Sequence, residues 1–217
     1  MNISPISQNK QNFQHLGKSH GENSYSKKER AVITGMNVLG TAASCALLAK
    51  KSGYSLNPAK MLKNIKKSFL ANVKFHDKEV ITIGAGSCIG GLAGGYMVDK
   101  NPENRKAKRR ETVMQLGNIS IPIITVETFA KFGKKFGKLA QAASAIAGIF
   151  LMNKLGNLLF RNKNERGVKA TDFSAHVDDM VVAASYISDN KYVHSIARIV
   201  PLALMIPGYE VGTKKVH

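Results

Sequence analysis

Tryptophan is absent, tyrosine occurs six times and cysteine twice among the 217 residues. The missing tryptophan leaves little material for the aromatic girdle that multispanning proteins set at the membrane surface. Cys45 and Cys88 each lie inside an apolar run, with no Cys-x-x-Cys pattern and no neighbouring histidine. That excludes a cysteine-rich scaffold or a zinc knuckle, and both residues read as small buried side chains. Acidic residues are scarce, 14 Asp and Glu against 32 Lys and Arg, and the net charge of +18 attracts acidic partners: anionic lipid, nucleic acid or an acidic protein. Catalytic signatures are also missing. The glycines near residue 90 are not followed by the Lys-Ser/Thr of a phosphate loop, and no Gly-x-Ser-x-Gly elbow occurs, so neither an enzyme nor a cofactor is expected. The start, MNISPISQNKQN, lacks a charged segment running straight into an apolar core, which argues against a cleavable secretory signal.

What is present is segregation. Hydrophobic residues form 44% of the chain and mean hydropathy is −0.13, an average that conceals long uncharged runs alternating with lysine-rich connections. The organising stretch is 80–98, VITIGAGSCIGGLAGGYMV. Gly86, Gly90 and Gly94 recur every four residues, and Gly91 and Gly95 add a second row. Six glycines between 84 and 95 would cost a helix in water about 5–6 kcal/mol relative to alanine. In a bilayer the backbone is held helical by its own hydrogen bonds, and glycine then admits a second helix at close range. The run resembles the glycine-zipper segments of small membrane proteins. That resemblance implies helix packing through Gly86, Gly90, Gly94, Gly91 and Gly95.

Residues 31–49 form a second uncharged run, nineteen residues long, which at about 1.5 Å per residue just crosses a hydrocarbon core of about 30 Å. Gly35, Gly40, Ala42, Ala43, Ser44 and Ala46 make it the natural partner of the zipper. Between the two runs, Asn57 and Pro58 read as a cap and first helical residue opening a basic amphipathic helix over 57–74. Met61, Leu62, Ile65, Phe69 and Val73 share one arc, and Lys60, Lys63, Lys66, Lys67 and Lys74 are its candidate contacts to anionic lipid headgroups. Residues 100–110 hold six cations against Glu103, and Pro102 and Asn104 mark them as a loop. Without interleaved aromatics, KAKRR reads as juxtamembrane, and nucleic acid is disfavoured as a partner. Two further apolar segments, 112–130 and 139–160, follow as antiparallel neighbours, with Glu127 assigned to Lys131 and Lys154 reaching for an interface.

Residues 171–188 and 191–206 read as two short helices kinked at Pro201 and ending at Pro207 and Gly208, a hairpin at the membrane surface. His176, Asp178, Asp179 and His194 are the one polar cluster resembling a metal set. Acidic residues in a helix's opening turns follow from the dipole alone, so no metal site is assigned. For four spans, fifteen cations fall on the amino-terminal side and twelve on the other, a lean toward a cytoplasmic amino terminus. The sequence therefore predicts an all-α, polytopic helical membrane protein with about four apolar helices and one interfacial helix. Its divisions are a disordered tail over 1–28, a membrane region over 29–160 and a C-terminal hairpin over 161–217. The expected role is structural or interactive, by self-association through the glycine-rich helix, with homo-oligomers, and by contact of basic segments with lipid or an acidic partner. The alternatives are a pore or transporter subunit, a soluble basic protein binding nucleic acid, and a secreted bacterial membrane-inserting protein. The last rests on the Ser/Asn/Ile-rich start, which is similar to type III secretion signals.

Overall fold

The computed structural model describes residues 25–55, 77–132, 137–160, 167–176 and 200–216, with side chains at 129–132, 137–142, 145 and 174–176 excepted. These residues build an all-helical body with no strand among them. The helices are α1 (Lys27–Lys51), α2 (Asp77–Val98), α3 (Pro102–Phe132), α4 (Gly137–Phe160), a 3₁₀ turn (Ala170–His176), α5 (Val200–Ala203) and α6 (Met205–Thr213).

Each start and stop has a local cause. At the head of α1, the Ser26 hydroxyl accepts from the Glu29 N–H at 3.3 Å and the Glu29 carboxylate accepts from the Ser26 N–H at 2.7 Å, which satisfies two orphan donors reciprocally. The ordered body therefore reaches back into the expected tail: Tyr25 is buried and α1 opens at Lys27. Its far end closes at Gly53, whose φ of +76° suits a residue without Cβ, and Lys50 and Lys51 in the last turn complement the dipole.

The expected loop over 100–110 is instead the first turns of a helix. Asn101 Oδ1 accepts from the N–H groups of Glu103 and Asn104 at 2.9 and 3.4 Å, and Pro102 occupies the first helical position, where its missing N–H costs nothing. Prolines 201 and 207 likewise fall in the opening turns of α5 and α6, so the predicted stop at Pro207 and Gly208 is where a helix begins.

Helix α2 is the hub. It runs antiparallel to α1 and α3 and parallel to α6, while α4 packs on α3. Ile83, Cys88, Ile119, Leu204 and Val211 meet in one core cluster. Leu204 and Val211 have no exposed surface, so α5 and α6 are buried against α2, while residues 177–199 of the expected hairpin lie outside the described residues. Gly208 and Gly212, four apart, made this legible in principle.

Two helices, α1 and α2, are long and apolar enough to cross a membrane. The outer faces stay apolar: Leu39 and Leu47 on α1, Ile89 and Met97 on α2, and Leu158 and Leu159 on α4 are exposed.

Candidate functional site: glycine seams, a buried lysine and a polar row

The two glycine rows face two different helices. On the Gly86/Gly90/Gly94 row, a methyl added at Gly90 would land on the Met36 carbonyl, one at Gly94 would lie 2.8 Å from the Ile33 Cα, and one at Gly86 would lie 2.6 Å from the Gly40 carbonyl. This row belongs to α1. On the second row, a methyl at Gly91 would strike the Gly208 carbonyl and one at Gly95 would lie 2.6 Å from that of Gly212. That row belongs to α6, an element absent from the sequence reading of the zipper. Both seams are filled by the chain's own helices, so the face assigned to self-association is occupied within one molecule.

A polar stitch fastens the three helices where they converge. Buried Asn37 donates from Nδ2 to the Met205 carbonyl at 2.6 Å and accepts from the Ser87 hydroxyl at 2.8 Å. These bonds satisfy buried polar groups and fix the register of the three helices.

At the rim formed by the starts of α1 and α3 and the ends of α2 and α6 lies a feature that composition did not reveal. Lys108, with no exposed surface, donates to the Tyr25 hydroxyl at 2.6 Å, to Asp99 Oδ2 at 3.2 Å and to the Lys214 carbonyl at 2.5 Å. All three of its protons are used. The Tyr25 hydroxyl itself donates to Asp99 Oδ2 at 2.5 Å, and Asn104 Nδ2 and the Asn101 N–H add bonds of 2.9 and 3.0 Å to the same carboxylate.

Burial by itself would raise the Asp99 carboxyl. The Tyr25 and Asn101 bonds, with the bond and charge of Lys108, outweigh it and hold the group at about 2. Burial pushes the Lys108 ammonium down against the opposing pull of Asp99, and burial followed by the Asp99 bond pushes the Tyr25 phenol up. Lys108 and Asp99 thus stand in ion-pair geometry at 3.2 Å, with the Tyr25 phenol held in its neutral form between them. Arg105 closes the end of α2 by donating to the carbonyls of Asp99 and Tyr96 at 3.0 and 2.9 Å, the usual service of a cation at a helix C-terminus.

Inward from Lys108, Glu111, Gln115 and Asn118 continue one buried stripe along α3. Gln115 Nε2 donates to Glu111 Oε1 at 3.0 Å and to Glu210 Oε2 at 2.6 Å. Thr171 donates to Glu210 at 2.7 Å, Asn118 donates to Asp172 at 3.1 Å, and Asn153 on α4 approaches Asn118 at 3.5 Å. Lys214 stands 3.7 Å from Glu111 and Lys169 3.6 Å from Glu210. The carboxylates are thus matched by donors and cations, an arrangement that fixes register between helices.

The other candidates are dispersed or lie elsewhere. Lys60, Lys63, Lys66, Lys67 and Lys74, the amphipathic helix over 57–74, and Asp178, Asp179 and His194 fall outside the described residues, as does the His176 side chain. Among the described residues no group of three His, Cys, Asp or Glu side chains is placed to hold a metal. Glu127 and Lys154 are both exposed, and the Lys131 side chain is outside the described set. Cys88 is buried and Cys45 half-buried, both free. No protein family, no curated protein and no solved structure matches this chain.

Proposed function

We propose that the chain is an integral membrane protein with a structural or interaction role. In this reading the α1/α2 hairpin crosses the bilayer, is locked by α6, and presents cationic rims to anionic headgroups or an acidic partner. The observation carrying the reading is α1, of whose apolar window only 22% is buried. The core helix of a water-soluble protein is covered on most sides, whereas α1 leaves Val38, Leu39 and Leu47 open, a surface suited to lipid. Alkaline carbonate should leave the full-length protein in the membrane pellet and mild detergent should release it. Recovery as a monodisperse helical protein in carbonate supernatant would sink the proposal and favour the soluble, nucleic-acid-binding alternative.

Because both glycine seams are filled internally, a homo-oligomer would use another face, such as the apolar strip of α4. A pore or transporter subunit is the second reading, favoured by the buried polar row. Ile119 lies against Gly84 and Lys108 against Gly95, so Glu111, Gln115 and Asn118 occupy the middle depth of α2, beside the helix broken at Leu204. Transporters place polar groups and interrupted helices at that depth. Current recordings in planar bilayers separate the two: a protein of purely structural role carries no current.

A further inference from the structure

We propose that the rim built from the starts of α1 and α3 is a binding surface for anionic glycerophospholipid, engaging headgroup and acyl chain together; this rests on the membrane reading above. Lys27 and Lys28 in the first turn of α1, Lys100 between α2 and α3, and Lys106 and Arg109 on α3 are all exposed, and no ion pair among the described residues holds them. The Tyr25, Asp99 and Lys108 contacts bring these cations from three segments to one edge. The exposed acidic residue there is Glu103; Glu29 is engaged by the Ser26 cap, and Asp99 is consumed by Lys108 and its neighbours.

Placing lysines at the amino end of a helix sets them against its dipole, a cost that a phosphate relieves because it meets the cations and the positive helix end at once. About one turn inward from the cations the surface changes character, with Val32, Met97 and Val113 exposed. A phospholipid carries its negative charge beside its hydrocarbon in this same order. A nucleic acid or an acidic peptide matches the first level and not the second.

The test uses full-length protein in non-ionic detergent, with thermal unfolding followed by circular dichroism. Added phosphatidylglycerol should raise the midpoint more than phosphatidylcholine, and soluble glycerophosphoglycerol should do less than the intact lipid. The combined variant Lys27→Gln, Lys28→Gln, Lys100→Gln, Lys106→Gln, Arg109→Gln should lose about half or more of that lipid-specific shift, whereas Lys50→Gln with Lys51→Gln at the other end of α1 should keep it. In the unmodified protein, raising salt from about 0.1 M to 1 M, which shortens the Debye length from about 10 to 3 Å, should erase the advantage of phosphatidylglycerol. Equal effects of the two lipids, an undiminished shift in the combined variant, a salt-insensitive shift, or an oligonucleotide matching phosphatidylglycerol would each overturn the proposal. Release by carbonate would instead remove the membrane reading on which it stands.

Discussion

Lys108 shows how far a single side chain departs from what its neighbours in sequence suggest. Within KAKRR it reads as one more solvated charge, because its partners Tyr25 and Asp99 lie 83 and 9 positions away and no local pattern announces them. Breaking a buried pair from one side leaves the other charge stranded, at a cost of about 3–5 kcal/mol. Asp99→Asn should therefore lower the unfolding midpoint in detergent more than Lys108→Met does, since Asp99 without its lysine keeps Tyr25, Asn104 and a backbone donor. The double variant should recover part of the loss, and strict additivity would mean that the two groups do not communicate. The same carboxylate sets an acid limit. Its folded value, about 2, lies below the unfolded value of about 3.9, so its contribution is present above about pH 4 and is lost as pH falls toward 2. At about 1.36 kcal/mol per pH unit that is about 2–3 kcal/mol. A titration of stability should show this acid-side decline in the parent protein and a flatter profile in Asp99→Asn.

At the scale of the element, the helices legible in the sequence were those whose neighbours demand small residues at regular spacing. Gly86, Gly90 and Gly94 pointed to a close-packed helix, and the small-residue run of 31–49 pointed to its partner. The start of α3 was missed although Asn101 and Pro102 repeat the Asn-Pro signal read as a helix start at 57 and 58; a dense run of cations looked like a loop. Once α3 opens at Pro102, positions 108, 111, 115 and 118 fall on one face, and the buried polar row becomes readable. Removing the cap with Asn101→Ala should cost about 1 kcal/mol, visible as a small drop in thermal stability with helicity retained. The two glycine seams should separate by mutation. Gly90→Leu places bulk on the α1 backbone, and Gly91→Leu places it on the α6 backbone, each worth about 3 kcal/mol or loss of the contact. Cysteine crosslinking should report loss of α1/α2 proximity in the first and of α2/α6 proximity in the second, with insertion unchanged in both. Retained proximity in each case would mean that the seams open without consequence.

At the scale of the whole molecule, residues far apart in sequence close a single core, and α6 is the piece that completes it. Cys88 has no exposed surface and lies in the cluster with Leu204 and Val211. In a Cys45→Ser background it should resist alkylation in the full chain and become reactive when residues 200–217 are deleted; protection that survives the deletion would show that α1 and α3 suffice to cover it. The overall plan was only partly visible in the sequence because Gly208 and Gly212 sit behind two prolines that read as terminators, and their counterparts on α2 precede them by more than a hundred residues. That separation imposes an order on biosynthesis. Helices α1 and α2 are made before α6 and are long and apolar enough to cross a membrane, whereas α6, nine residues long, is too short to span a bilayer independently. During translation the second glycine seam, the Asn37 amide and the Gln115 amide therefore wait without the partners that α6 supplies. Until α6 has been made, that face of α2 is open to any other small-faced helix nearby, so the interval between the synthesis of α2 and that of α6 is the period in which a mispaired form can arise.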